Sequence, residues 1–152
     1  MVMLADLMDL RAIEHNLTGA AATDVLETLV ARLAAAGAVT DEADAIARLR
    51  EREQLKSTGI GGGIAIPHAK TPAVSRTRIA FGRSREGIPF DAIDGKPAHL
   101  IFLILGPPDS AAEHVRVLSR IAHLVRNPGF LAACDAAEDA QGLYDAVLTH
   151  QE

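Results

Sequence analysis

Aromatic side chains are scarce in this 152-residue chain, which has four phenylalanines, one tyrosine and no tryptophan. Its core must therefore be aliphatic and rich in alanine, and a hydrophobic content of 49% supplies enough Leu, Ile, Val and Ala to build one. That content excludes a disordered chain. The length fits one domain spanning residues 1–152, with little room for a second. A lone cysteine, Cys134, excludes an internal disulfide. A basic excess is also missing: 15 Lys and Arg stand against 20 Asp and Glu, a formal charge of −5. Nucleic-acid binders normally carry a basic face, so the balance argues against that partner. No run approaches the roughly 18 apolar residues of a membrane span. The stretch Met1–Leu10 is apolar, but Asp6 and Asp9 interrupt it and no Lys or Arg precedes it, the reverse of a secretion leader. Together with the cysteine count, this places the expectation on a reducing cytoplasm, without membrane insertion.

Helical and strand-like periodicity alternate along the chain, the pattern of an α/β layered fold. Residues 4–10 read as a short helix and Ile13–Leu17 as a short strand. Val25, Leu26, Leu29, Val30 and Leu33 recur at helical spacing, predicting a helix over Thr23–Ala36 that Gly37 ends. A second helix is expected from Thr40 as N-cap, with Asp41 and Glu42 in its first turn, to about Glu53. Ile64-Ala65-Ile66 is β-branched, short and stopped by Pro67. Arg78–Arg83 reads as a strand, and the continuously apolar Leu100–Leu105 as a central strand covered on both faces. Ser110 and Glu113 have the spacing of a capping box ahead of a stripe through Val117, Leu118, Ile121, Leu124 and Val125. Pro128 suits the first turn of a short helix after Asn127. A final helix is expected to turn Leu143, Tyr144, Val147 and Leu148 to one side.

The chemistry concentrates in Ser57-Thr58-Gly59-Ile60-Gly61-Gly62-Gly63-Ile64-Ala65-Ile66-Pro67-His68-Ala69-Lys70. Four glycines in five positions expose backbone amides that could approach a phosphoryl group. A Walker loop before Lys70-Thr71 would need glycine at 69 and 64, where Ala69 and Ile64 stand. A dinucleotide fingerprint starting at Gly59 and Gly61 fails at Ile64, and the glycines precede a strand-like segment, not a helix. His68 follows Pro67, which fixes the local backbone. A neutral imidazole there can act as a nucleophile near pH 7, because its ordinary pKa of about 6.5 leaves a lone pair free. A single histidine in a loop is more often merely hydrogen-bonded, so the residues around it decide the reading.

Those residues resemble the phosphohistidine motif of enzyme IIA of the fructose/mannitol/nitrogen group of the bacterial phosphotransferase system. The likeness lies in Arg52-Glu53, Ser57-Thr58-Gly59-Ile60-Gly61, Gly63-Ile64-Ala65-Ile66-Pro67-His68, Pro89-Phe90-Asp91-Ala92-Ile93-Asp94-Gly95, Pro97, the strand Leu100–Leu105 and the helix beginning Glu113-His114. It spans roughly residues 4–150. The resemblance implies a single α/β domain with a mixed sheet of about five strands flanked by helices on both faces. It implies that His68 accepts a phosphoryl group from the histidine-containing phosphocarrier protein, that His114 bonds the phosphoryl oxygens, and that Arg52 neutralises their charge. Ser57, Thr58, Gly61, Gly62 and Gly63 are the expected phosphate loop. Downstream partners would be an enzyme IIB or regulated target proteins, and no cofactor or metal is implied. The runs Ser57–Gly61 and Phe90–Asp94 look closer to nitrogen-type regulators than to sugar-specific units.

Each of these residues also has a plainer reading. His114 could be a core-edge histidine bonded to a backbone carbonyl, and Arg52, beside Arg48, Arg50 and Lys56, could be a solvated charge at a helix end. His15, His99, His123 and His150 show no metal-ligand spacing and read as surface or packing residues. Asp91 and Asp94 read as turn formers with Gly95, and Cys134 as a buried filler. Two departures from the family stand out. Ala69 replaces a common glycine, which would be costly if the backbone there had φ > 0. Gly62 adds a further glycine and predicts a softer loop. Against the nitrogen-type regulator stands a sugar-specific unit of the same family that passes phosphate to an enzyme IIB; against phosphoryl carriage stand an interaction module of this fold without phosphate chemistry and a nucleotide-binding enzyme using the glycine loop.

Overall fold

A computed structural model describes residues 3–152. Met1 and Val2, and with them the start of the 1–152 domain and of the apolar N-terminal stretch, lie outside the described residues. A single 3₁₀ turn at Leu4–Leu7 leads directly into strand β1, Met8–Glu14. The helix expected over 4–10 is thus one turn, and the strand expected at Ile13–Leu17 begins earlier. Leu17 instead packs under Gly82: a Cβ there would fall 2.6 Å from the Leu17 Cδ2. Helices α1 (Ala22–Ala35) and α2 (Glu42–Leu55) follow. Gly37, at φ +77°, ends α1 as expected. Asp41, not Thr40, caps α2, its carboxylate accepting from the Asp44 N–H at 3.0 Å. Thr40 turns its hydroxyl to the Ala73 carbonyl instead.

The remaining elements are β2 (Gly59–Gly61), β3 (Ile64–Ala65), β4 (His68–Lys70), β5 (Arg78–Ile88), β6 (Ala98–Gly106), α3 (Ala111–Leu124), α4 (Pro128–Ala136) and α5 (Ala140–His150). The sheet runs β1-β5-β6-β3-β2, with β4 also on β6. It is mixed: β1 is parallel to β5, β5 antiparallel to β6, and β3 and β4 parallel to β6. The six strands and the expected five differ at one place. Ile64 pairs with Leu100 and His68 with Ile104, so β3 and β4 are one line held in the same register. Pro67 breaks that line because it has no N–H to give the ladder, while its carbonyl still accepts from Ile104.

Strand alternation sorts the core into two layers. On β6, Leu100, Phe102 and Ile104 face α3, α4 and α5, and Ile101, Leu103 and Leu105 face α1 and α2. The first layer is filled from above by Val117, Ile121, Leu124, Phe130, Leu143 and Val147, the second by Val25, Leu26, Leu29, Leu33 and Leu49. β6 is thus covered on both faces, which is why its sequence is apolar without alternation. On α5, Leu148 lies outside the core and is 46% exposed, unlike Leu143 and Val147. At α3 the capping box does not form. The Ser110 hydroxyl donates to the Pro107 carbonyl at 2.6 Å, and Glu113 takes the hydroxyl of buried Thr77. The tight Gly106-Pro107-Pro108 exit from β6 draws Ser110 toward the strand and away from the helix amides.

Arg83 is the one guanidinium sealed within the described core. It donates to the carbonyls of Cys134 (2.7 Å) and Ala137 at the end of α4, and twice to the His15 carbonyl (3.1 and 2.8 Å). The positive charge thus meets the negative end of a helix and satisfies carbonyls that would otherwise be orphaned. Cys134, whose carbonyl is so held, has its thiol pushed up to about 12 by burial and is chemically silent at neutral pH. Replacing Arg83 by Met should lower the free energy of unfolding by on the order of 3 kcal/mol, because several buried carbonyls lose charged donors together. Urea titration checks this; a change below about 0.5 kcal/mol would contradict the assigned role.

Candidate functional site

Period-two alternation places Ile64, Ile66 and His68 on the same side of the interrupted strand. Ile64 and Ile66 join the layer under α3, so His68, next in that row, emerges at the end of the layer against α3. Ala69 points the other way, into the layer under α1 and α2. Its backbone is extended strand, since Asp91 alone among the described non-glycine residues has positive φ. The substitution of alanine at this position therefore carries no backbone strain.

The His68 ring is fixed by its own chain. Its Nδ1 lies 2.7 Å from the Ile66 carbonyl oxygen. A carbonyl only accepts, so Nδ1 carries the proton and the lone pair is on Nε2. Burial pulls the His68 pKa below its ordinary value; the Ile66 bond opposes this and the Arg52 charge adds to it. The ring is neutral and nucleophilic at pH 7. His114, in the second turn of α3, stands with its ring centre 5.4 Å from that of His68 and the planes tilted by 53°. It is buried, and its Nδ1 has no hydrogen-bond partner among the described residues. The carbonyl partner of its plainer reading is therefore not found at that atom. Burial, with smaller contributions from His68 and Lys70, lowers its pKa to about 4. Room for this ring depends on Gly106: a Cβ there would sit 3.3 Å from His114 Nδ1 and 2.8 Å from the Ser110 hydroxyl.

The cleft beside His68, about 330 Å³, is lined by Arg52, Lys56, Ser57, Thr58, Ile60, Ile66, Leu118 and Ala122. Arg52 donates from Nη1 to the Lys56 carbonyl at 3.0 Å, which caps the end of α2. It forms no ion pair with a carboxylate among the described residues, so its charge remains available to the cleft. The Ser57 hydroxyl bonds the Phe90 carbonyl and accepts from the Gly59 N–H. Thr58 is held by Glu53.

Gly61, Gly62 and Gly63 do not join them. These glycines have φ of +85°, +65° and +82° and form the hairpin turn between β2 and β3. Gly63 lies beside the start of β6, its carbonyl accepting from His99 and Leu100, whereas His68 pairs with Ile104. Five strand residues separate them, about 16 Å at the usual rise. The Gly62 N–H is taken by the Asp94 carboxylate at 2.9 Å, which lowers the Asp94 pKa. A carboxylate in that position repels a phosphate. Of the residues of the expected phosphate loop, Ser57 and Thr58 line the cleft, and the three glycines lie apart from it in a left-handed turn that other residues rarely adopt. Asp94 is a turn former as expected. His99 also belongs to that far end, donating from Nδ1 to the Ser84 carbonyl.

Comparison with known proteins follows the same lines. The family model for the "Phosphoenolpyruvate-dependent sugar phosphotransferase system, EIIA 2" matches residues 6–150. A fructose-specific EIIA component of Haloferax volcanii is 44% identical over 112 residues, 74% of this chain and 73% of that protein. The fructose-specific EIIABC component of Bacillus subtilis is 34% identical over 149 residues, 98% of this chain; the chain spans about a quarter (24%) of that protein's length. The crystal structure of the nitrogen regulatory protein IIA-Ntr from Neisseria meningitidis superposes with a TM-score of 0.87 at 30% identity, covering 96% of this chain and 99% of that one.

The buried imidazole has a consequence for stability. The pKa of His114 in the folded protein is about 4 and in the unfolded chain near 6.5, so the unfolded state binds the proton first as pH falls. The stability this neutral ring permits is complete above about pH 6.5. It is lost progressively as pH falls toward 4, by roughly 3 kcal/mol in all. Urea unfolding at pH 7 and pH 4 should show a smaller loss for His114→Gln than for wild type. Equal losses would mean that the ring does not titrate as described.

Proposed function

Because the chain belongs to the EIIA 2 family of the phosphoenolpyruvate-dependent sugar phosphotransferase system, we propose that it carries a phosphoryl group on His68 Nε2. The observation that carries this reading is the Nδ1–Ile66 bond, which leaves Nε2 as the nucleophilic atom at the mouth of a cleft. In the transfer, the Nε2 lone pair attacks the phosphorus of a phosphohistidine on the histidine-containing phosphocarrier. The N–P bond of the carrier breaks, its imidazole leaves with the electron pair, and the Nε2–P bond forms. Positive charge developing on the His68 ring is met by the Ile66 carbonyl, which keeps the Nδ1 proton. His114, neutral and 5.4 Å away centre to centre, donates an N–H to a phosphoryl oxygen. Arg52 supplies the permanent charge.

Two roles follow within the family. The TM-score of 0.87 at 30% identity to IIA-Ntr supports a nitrogen-type regulator that engages target proteins according to its phosphorylation state. The 44% identity to the fructose-specific component supports the second role, a unit that passes phosphate to an enzyme IIB during sugar uptake. Both share the same chemistry at His68.

With phosphoenolpyruvate, enzyme I and the phosphocarrier, the protein should gain an acid-labile, alkali-stable phosphate. His68→Ala should abolish it, and His114→Ala should slow it by roughly 10²-fold, the scale of one lost donor to a developing oxyanion. Labelling of His68→Ala at the wild-type level would refute the assignment. Rapid, sugar-dependent loss of label to an enzyme IIB in the same extract would defeat the regulatory role.

A further inference from the structure

Glu53 sits in the last turn of α2, where the helix end is already negative and a carboxylate is disfavoured. It is nonetheless engaged three times. Both carboxylate oxygens accept from the Thr58 N–H at 3.0 Å, and Oε1 also accepts from the Thr58 hydroxyl at 3.1 Å. Thr58 is 5% exposed, so these bonds are shielded from water. From Thr58 the contacts continue to the reactive ring. Its carbonyl accepts from the Ile66 N–H at 3.0 Å, and the Ile66 carbonyl accepts from His68 Nδ1 at 2.7 Å. Pro67 lies between Ile66 and His68 and offers no N–H that could compete for those oxygens.

We propose that Glu53 is a positioning residue for His68: by fixing Thr58, and through it Ile66, it aims the carbonyl that holds the proton on Nδ1 and keeps the Nε2 lone pair turned to the cleft. The proposal rests on His68 Nε2 being the phosphoryl acceptor for its purpose, though not for its geometry. No second hydrogen bond to the His68 ring is present among the described residues. The strand bonds of β4 fix its backbone on β6 but not the ring, and His114 offers the ring a neighbour at 5.4 Å between centres without a recorded hydrogen bond to it. The Glu53 charge also acts directly on His68, favouring the protonated ring and countering burial and Arg52. Its removal therefore has two separable effects. Loss of charge makes Nε2 less basic. Loss of the acceptor frees the Thr58–Ile66 segment and lets the proton move between the two ring nitrogens.

The test uses the full chain labelled with ¹⁵N in its imidazoles. Long-range ¹H–¹⁵N spectra report the tautomer and titration of His68 without any phosphoryl donor, with His68→Ala fixing the assignment. Wild type should show a single neutral tautomer protonated at Nδ1. Glu53→Gln, which can still accept from Thr58, should keep that tautomer but titrate at lower pH. Glu53→Ala should show both tautomers and accept phosphate at least tenfold more slowly, with Glu53→Gln between. Unchanged His68 tautomer and titration in a folded Glu53→Ala protein would overturn the proposal. Should Glu53→Ala not fold, Glu53→Asp, whose shorter side chain withdraws the carboxylate from Thr58 while keeping its charge, should show both tautomers, and a single Nδ1-protonated tautomer in it would overturn the proposal equally. The outcomes separate the two ideas. Tautomer loss in a protein that never accepts phosphate leaves the positioning role standing and removes the carrier function. Normal labelling with an undisturbed tautomer does the reverse.

Discussion

A proline in a sheet withholds one ladder hydrogen bond, and here that missing bond falls one residue before His68. β3 and β4 keep one register on β6 across the gap, so the backbone at His68 is as well placed as any strand residue. The Ile66 carbonyl faces away from β6, on the side where the Ile66 N–H bonds the Thr58 carbonyl, and accepts from His68 Nδ1. Choice of tautomer, exposure of Nε2 and the approach of the ring toward α3 all follow from that arrangement. Without the continued register the ring would not meet His114.

Electrostatics in the cleft depend on two rings that are kept neutral. Burial does this for both, and the cations nearby add to it: Arg52 for His68, Lys70 for His114. A pair of imidazolium ions beside Arg52 would repel one another; a pair of neutral rings leaves a lone pair on His68 and an Arg52 charge that no carboxylate among the described residues neutralises. The net charge of −5 conceals this local pattern, because acidic residues are spent elsewhere in helix caps and turns such as Asp41 and Asp94. The buried cation, Arg83, is satisfied by backbone carbonyls at the end of α4 and does not line the cleft.

Glycine illustrates how one residue type can mislead. Four glycines in five positions suggest a phosphate cradle, and composition alone does not distinguish that from a hairpin whose turn needs three successive left-handed residues. The distinction lies in where the turn falls along β6, and that is fixed by pairing with residues nearly 40 positions later in the chain. Glu53 was unassigned for the related reason that its partner is a backbone amide of Thr58, which has no sequence signature. A carboxylate placed against the dipole of a helix end was the available sign. Ser110 and Glu113 matched a capping spacing, but Pro107 and Thr77 offered them closer partners.

Periodicity sufficed for the helices at α1 and α2 and for the doubly covered strand β6, because each depends on spacing within a dozen residues. The meeting of His68 with His114, the depressed pKa values and the placement of Gly61–Gly63 away from the cleft were decided by the tertiary structure alone. Each of those depends on distance, burial or partner choice between segments far apart in the chain, and a linear order of side chains specifies none of them until the sheet register is set.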